Sequence, residues 1–287
     1  MRCTATNSVD LVWDFNREGP TLGGALVLRQ EGELLAQLQS LSAITLHLIG
    51  ENAHRAVVER LAGVVFGSSA YAFHPTREPL ADDGWPAQFE RENGEFSYFS
   101  FSRLLALHHQ HALVPRLQWS SSLQERAHRV RAGFTGQLVC VHLRSVAPFR
   151  PEESNADGPT WSAFFDAHAR AGTRDFLLLG DDPSPPDFTP PSAGVTRATD
   201  LGLDLATQLA LVGHADGFLG MASGLCTAAN FSRVPHVLFK HPAHHPAAMA
   251  RELGTADRFP FAGPRQRLWR RQATFDALCE ALVLILS

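Results

Sequence analysis

The feature that most constrains the fold is the stretch beginning at Asp216, which reads DGFLGMASGLCTAANFSRVPHVLFKHPAHH. Residues 217–221 form a short apolar run punctuated by glycine, and residues 234–239 form a second apolar run, as buried strands do. Between them the small residues ASG predict a tight turn and then a helix over 224–231, with Ser223 as its N-cap. A strand, a helix and a strand in this order predict a parallel sheet covered on both faces.

The turn at Ser223 and Gly224 has two interpretations. Backbone N–H groups at the start of a helix bind anions, and small residues let a phosphate approach closely, so the turn would hold the phosphates of a nucleotide. The alternative is an ordinary strand-to-helix turn with a good N-cap. The turn alone does not decide between them, because a single Ser-Gly pair is a weak signal.

Length and composition favour a globular protein of two ordinary domains. The chain has 287 residues, of which 45% are hydrophobic and 19% charged. A net charge of -4 gives no electrostatic reason to expect nucleic acid or a membrane surface as a partner. The four scattered cysteines lack a CxxC spacing, which predicts free thiols rather than a zinc site or disulfides. Oligomeric state is left open.

The two ends of the sequence bear on localisation. Residues 1–15 lack the apolar core of a signal peptide. The apolar run at 277–286 is too short to span a bilayer and is interrupted by Glu280. We therefore expect a cytoplasmic protein without a transmembrane segment.

The order of the predicted elements indicates an α/β protein. In the first half, residue patterns predict strands at 9–15 and 44–49 and helices at 25–39, 51–61, 100–112 and 121–131. In the second half they add strands at 137–143, 175–179 and 195–196 and helices at 160–171, 204–214, 246–253 and 273–286. Residues 66–94 carry many turn formers, and no regular element is predicted there. Because glycines interrupt the chain at 133–136, we predict domains 1–134 and 135–287, two Rossmann-like, doubly wound domains facing a cleft.

Ligands of such sheets bind beyond the carboxyl ends of the strands, so polar and small residues at those ends are candidates. His142 and Arg144 alternate at one strand end, and an arginine there suits a bidentate grip on phosphate oxygens. The alternative is a surface arginine beside a buried histidine. Further candidates at strand ends are Asp181, Met221, Ser223, Gly224, Lys240 and His241.

Lys240 is the only lysine among 25 lysine and arginine residues. Because the chain otherwise uses arginine for its cations, this single compact ammonium favours a role that a planar guanidinium would not serve. Such a cation could add a point charge to a diphosphate leaving group. The alternative is a solvated loop lysine.

In the first domain, Asp14 and Glu18 lie beside a glycine-containing loop. A carboxylate there would act as general base on an acceptor hydroxyl if it faced the ligand of the second domain. The alternative for Asp14 is a cap on the following turn.

Histidines cluster at 108–111 and 241–245, but neither cluster matches a known metal motif, and no metal site is predicted. GxSxG, GxxxxGK[ST] and GxGxxG motifs are also absent from the sequence.

The second half resembles the donor-binding domain of GT-B glycosyltransferases, in their heptosyltransferase-like and fucosyltransferase-like branches. The segments that carry the resemblance are VCVHLRS at 139–145, DFLLLGDD at 175–182, LATQLALVGHADGFLGMASG at 205–224 and AANFSRVPHVLF at 228–239. The heptosyltransferase-like turn usually reads Asp-Ser-Gly followed by a histidine, whereas this chain has Ala222 and Thr227 at those positions. The fucosyltransferase-like His-x-Arg-Arg-Gly-Asp is met in part by His142, Arg144 and Ser145.

The resemblance implies a nucleotide-diphosphate sugar bound across Arg144, Asp181, Ser223-Gly224 and Lys240. It also implies a glycan or glycoconjugate acceptor near Asp14, no metal or other cofactor, and an inverting displacement with Asp14 or Glu18 as base. Arg144 would stabilise the leaving diphosphate. Three functions stay open from the sequence, namely a glycosyltransferase, another nucleotide-sugar enzyme such as an epimerase or hydrolase, and a non-catalytic binding protein.

Overall fold

The computed structural model describes residues 7–17, 19–50, 54–80, 84–86, 100–146, 154–181, 184–191 and 193–287. The chain divides into two compact units, Met1–Ser121 and Ser122–Ser287. The sequence predicts the boundary at residues 134 and 135, whereas in the structure the helix over 121–132 groups with the second unit from its second residue onward. Arg126 and Arg131 of this helix form ion pairs with Asp204 and Asp216, at 2.9 and 2.8 Å.

The first unit alternates strands and helices. Its described elements are β1 (Ser8–Asp14), α1 (Leu22–Gln39), β2 (Ala43–Ile49), α2 (Arg55–Gly67), β3 (Ala72–Thr76) and α3 (Ser102–His111). Within the described residues, the strands form a parallel sheet in the order β1-β2-β3. The side chain of Thr21 caps α1 by accepting a hydrogen bond from the Gly24 N–H at 3.0 Å.

Helix α1 carries charged side chains into the interior of this unit. Arg29 and Glu33, four residues apart, are both buried and paired at 2.7 Å, and Arg103 of α3 pairs with the buried Glu31 at 2.8 Å. Arg29 also donates to the Gln118 carbonyl at 2.6 Å. Helical periodicity predicted this helix, but periodicity does not reveal that its charged residues face inward.

The second unit is built around a larger parallel sheet. Its helices are α4 (Ser121–Ala132), α5 (Gly158–His168), α6 (Leu205–Val212), α7 (Cys226–Asn230), α8 (Pro246–Leu253) and α9 (Phe275–Leu286). Its strands are β4 (Gln137–His142), β5 (Arg174–Leu178), β6 (Val195–Arg197), β7 (Gly217–Met221), β8 (His236–Phe239) and β9 (Gln266–Trp269). The described strands run parallel in the order β6-β5-β4-β7-β8-β9. Counted from β4, that is the Rossmann order 3-2-1-4-5-6.

Apolar side chains of the central strands and of two helices form one large buried cluster on this sheet. Trp161, Phe164 and Phe165 of α5 are completely buried in one cluster with residues of the central strands and of α9. Helix α9 packs so closely on β7 that a Cβ at Gly217 would lie 2.7 Å from Ile285 Cδ1. The parallel α/β architecture predicted from the sequence is confirmed, whereas the cleft between the domains stays a prediction.

Two strands were not predicted. Strand β3 lies in the region predicted to be irregular, because Pro75 and exposed residues obscure its pattern. Strand β9 is only four residues long, so it offers little periodicity to detect. None of the helices in the described part of the chain combines the length and the apolarity that a membrane crossing requires.

Candidate functional site

The order of the large sheet reverses between β4 and β7, and the carboxyl ends of these two strands define the candidate site. Ligands of open parallel sheets bind in the crevice at such a switch point. Gly220 of β7 lies in register with His142 of β4. A Cβ at Gly220 would lie 3.0 Å from the His142 carbonyl oxygen and 3.1 Å from Cys226 Sγ. Glycine therefore allows the two strands and the following turn to approach closely here.

Arg144 follows β4, which ends at His142, and its side chain is buried, with only 4% exposure. His142 is buried as well, and its Nδ1 lies 3.0 Å from the Leu179 carbonyl oxygen. The Arg144 carbonyl accepts a hydrogen bond from the Ala156 N–H at 2.8 Å, which fixes the backbone after the strand. The alternative had combined a surface arginine with a buried histidine. Its first part is wrong, because Arg144 is buried, and its second part is correct.

The turn after β7 has a different geometry from the one predicted. Helix α7 begins at Cys226, its N-cap is Leu225 in helical conformation, and no side chain caps it. The predicted N-cap role of Ser223 is wrong, because its hydroxyl points to Cys226 Sγ at 3.5 Å instead. The Cys226 thiol in turn donates to the carbonyl of the buried Met221 at 3.0 Å. These contacts hold Ser223 and Gly224, both partly exposed, in a wider turn before the helix.

Cys226 connects the two strand ends. Burial raises the pKa of this thiol to about 12, although the Ser223 hydrogen bonds and the positive charge of Arg144 act in the opposite direction. The thiol is therefore neutral and serves as a packing and hydrogen-bonding group. Arg144 and Ser223, predicted from separate segments, follow the two paired strands β4 and β7 at the same ends of these strands. Sequence reasoning missed Cys226, because an isolated cysteine carries no motif.

A depression of about 80 Å³, open to solvent, lies beyond β5 and β6. Its polar lining is Asp181, Ser184, Arg197 and Thr199, and Phe188 supplies an aromatic wall. Asp181 is exposed and follows Gly180, whose backbone has a φ of 100° and donates to Gln208 Oε1 at 2.7 Å. Arg197 was not among the predicted site residues. It is the last residue of β6, so the rule of strand ends could have identified it had the strand been predicted to its full length.

Lys240 and His241 follow β8, at the carboxyl ends of the strands. Lys240 is only 5% exposed, and its backbone N–H donates to the Trp269 carbonyl at 2.9 Å. The alternative of a solvated loop lysine is therefore wrong. His241 Nδ1 accepts a hydrogen bond from the Ala243 N–H at 3.2 Å, which stabilises the turn after the strand.

In the first unit, Asp14 ends β1 and is partly exposed. Its Oδ1 accepts a hydrogen bond from the Asn16 N–H at 3.0 Å, which is the turn-capping role considered as an alternative to catalysis. Glu18 lies outside the described residues. Across the part of the chain that is described, no three His, Cys, Asp or Glu side chains gather as a metal ion would require.

The sequence matches no known family profile, and no curated protein is significantly similar to it in sequence. In structure, the chain is similar to a glycosyl transferase of family 9 from Veillonella parvula, with 12% identity and a TM-score of 0.51 over 99% of this chain and 90% of that protein. It is also similar to ADP-heptose LPS heptosyltransferase II of E. coli, with 13% identity and a TM-score of 0.52 over 97% and 98% of the two chains. The resemblance to heptosyltransferase-like GT-B proteins is thus confirmed at the level of the fold.

Proposed function

We propose that this protein is a cytoplasmic glycosyltransferase that moves a sugar from a nucleotide-diphosphate donor to a glycan or glycoconjugate acceptor without a metal ion. One observation carries the proposal. At the switch point of a Rossmann-ordered sheet, the buried Arg144 comes just after β4 and the Ser223-Gly224 turn just after β7, and these two strands are in register at His142 and Gly220. The fold shared with two bacterial glycosyltransferases supports the choice of chemistry.

The diphosphate would bind at this point. A guanidinium grips phosphate oxygens through parallel N–H donors, and Arg144, being 4% exposed, would act in surroundings of low dielectric constant where charge interactions are strong. The Ser223 hydroxyl and the backbone of the turn would supply further hydrogen bonds. Lys240, which follows β8 beside β7, would add positive charge as the diphosphate leaves. His142 and His241 would shape the walls around it, whereas the predicted site residue Met221 packs its side chain in the hydrophobic core.

The nucleoside would extend toward β5 and β6. In Rossmann sheets an acidic residue after the second strand binds ribose hydroxyls, and Asp181 follows β5, the second strand of this sheet. The depression beside Asp181 is open to solvent, and Phe188 gives it an aromatic wall that a base would contact.

The reaction would be an inverting displacement. The acceptor, bound by the first unit, would lose its hydroxyl proton to the carboxylate of Asp14 or Glu18. Its oxygen would form a bond to the anomeric carbon as the bond to the nucleoside diphosphate breaks. The leaving group would depart with the bonding electron pair, stabilised by Arg144 and Lys240.

The test is release of nucleoside diphosphate from a panel of nucleotide sugars, with and without glycan acceptor fractions. We expect release from one donor, dependent on an acceptor and coupled to transfer of the sugar. It should be lost in Ser223→Trp, which fills the turn, and kept in the control Val283→Trp, since Val283 is 71% exposed on α9.

Other outcomes would contradict the proposal in distinguishable ways. Release of free sugar without acceptor would indicate a hydrolase. An intact nucleotide sugar of changed configuration would indicate an epimerase. Nucleotide binding without turnover of any donor would indicate a binding protein.

A further inference from the structure

We propose that the base read by this protein is guanine and that Arg197 is the residue that selects it. The inference rests on the proposed function, because that function places a nucleotide beside β5 and β6. Neither the sequence motifs nor the structural relatives assign a role to Arg197. Its side chain lines the depression together with Asp181 and Phe188.

Arg197 is held in a defined position. It is partly buried at the carboxyl end of β6, and its Nη2 donates to Ser184 Oγ at 2.7 Å. Its guanidinium carbon lies 5.9 Å from the centre of the Phe188 ring. The hydrogen bond to Ser184 uses one of the five N–H donors of a guanidinium, so other donors can serve a ligand in the depression.

The wall that carries Phe188 is anchored as well. Helix α5 approaches it so closely that a Cβ at Gly158 would lie 1.9 Å from the Pro186 carbonyl oxygen. The Thr189 N–H donates to Ser162 Oγ at 2.8 Å, and the Phe188 ring lies 5.9 Å from that of Phe165 in the core. A base that entered the depression would meet a fixed aromatic surface and a fixed guanidinium, so little ordering would be needed on binding.

The donor pattern of a guanidinium favours guanine over the other bases. Guanine presents two neighbouring acceptors, O6 and N7, which arginine can bind in a bidentate manner. Adenine places an amino group where guanine has O6, and the N–H donors of arginine would face it unfavourably. Uracil offers a single acceptor on that edge, and cytosine offers an amino group. A good bidentate pair discriminates by about tenfold to a hundredfold in affinity.

Asp181 lines the same depression and could contribute by a second route. Its carboxylate could accept hydrogen bonds from the guanine 2-amino group rather than from the ribose. Inosine diphosphate separates the two routes, because hypoxanthine keeps O6 and N7 and lacks the 2-amino group. If Arg197 determines selection, GDP and IDP bind alike.

The experiment is calorimetric titration of the full chain with GDP, IDP, ADP and UDP. For the wild type we expect GDP and IDP to agree within about threefold and to bind at least about tenfold more tightly than ADP and UDP. Arg197→Gln should lower the affinity for GDP by about tenfold or more and raise the affinity for ADP, because glutamine pairs with N6 and N7 of adenine. The control Arg267→Gln lies on β9 at the opposite edge of the sheet and should leave all four affinities unchanged.

The inference is overturned if ADP or UDP binds the wild type more tightly than GDP, or if Arg197→Gln leaves the GDP affinity unchanged. GDP binding far above IDP would also overturn it, since Asp181 would then be the selecting residue. If Arg197→Gln fails to fold, the four wild-type affinities decide. Tight binding of another base, lost in Ser223→Trp, would end the guanine inference and leave the proposed function intact. Guanine selection by Arg197 without turnover of any GDP-sugar would support the guanine inference and contradict the proposed function.

Discussion

At the residue scale, burial decides between the interpretations that the sequence left open for Arg144 and Lys240. Arg144 and Lys240 are 4% and 5% exposed, although the sequence allowed both to be ordinary surface cations. Arg144 follows β4 and Lys240 follows β8, the two strands that flank β7 in the sheet. A diphosphate bound beyond β7 would therefore lie between the two cations. Strand-end position found both residues, but only the packed structure reveals their burial.

The role of Asp14 as general base can be tested directly by mutation. Asp14→Asn keeps an oxygen that can accept the Asn16 N–H, so the turn should survive while the base is lost. If Asp14 is the general base, kcat for sugar transfer should fall by about a hundredfold or more, with little change in the KM for the donor. Steady-state kinetics against the control Asp166→Asn, an exposed position on α5, measures this.

Near-full turnover of Asp14→Asn would show that Asp14 is not the base. Loss of turnover in Glu18→Gln under the same conditions would then assign that role to Glu18.

Residues that the sequence did not reveal have a common physical explanation. Arg197 was missed because its strand has three residues, too few to show a period. The burial of Glu31 was missed because its partner, Arg103, is distant in sequence. Contacts between distant segments leave no local pattern, so a single sequence does not disclose them.

At the element scale, the most constrained feature is the contact between β4, β7 and the turn that follows β7. Alternation of apolar segments predicted both strands, because buried parallel strands are continuous apolar runs. Residue preferences predicted Ser223 as the N-cap, but its hydroxyl donates to Cys226 Sγ, three residues further on, and the five-residue helix begins only at Cys226. The order of the elements was thus predicted, whereas the start of this helix was not.

Gly220→Ala tests this contact. The added methyl would press on the His142 carbonyl and on Cys226 Sγ, and the backbone cannot yield cheaply. We expect the free energy of unfolding to fall by about 1–3 kcal/mol and nucleotide affinity to fall with it. Denaturant unfolding and calorimetry measure the two quantities.

Gly213→Ala is the matched control for that substitution. Its Cβ would lie 3.6 Å from the Ala210 carbonyl oxygen, an ordinary contact, so stability should change by about 0.5 kcal/mol or less. If Gly220→Ala matched this control in stability and in nucleotide binding, the close packing at the switch point would be unimportant for the site.

At the scale of the whole molecule, the strand order carries the functional argument. Alternating strands and helices predict a parallel sheet, but they do not specify which strands are neighbours. The observed order places the switch point between β4 and β7, and this brings Arg144, two residues after β4, to the same edge as a turn far from it in sequence. Similarity to two glycosyltransferases covers almost the full chain and supports the same architecture.

The most direct test of a donor site at this switch point is thermal unfolding with nucleoside diphosphates, for the wild type, Arg144→Gln and Ser223→Trp. A diphosphate at about a hundred times its dissociation constant adds about 2.7 kcal/mol to the free energy of unfolding, a rise of several degrees in Tm. We predict that one base produces this rise in the wild type and that both variants abolish it. If no nucleoside diphosphate raised the Tm, or if both variants retained the rise, the donor site would not lie between β4 and β7.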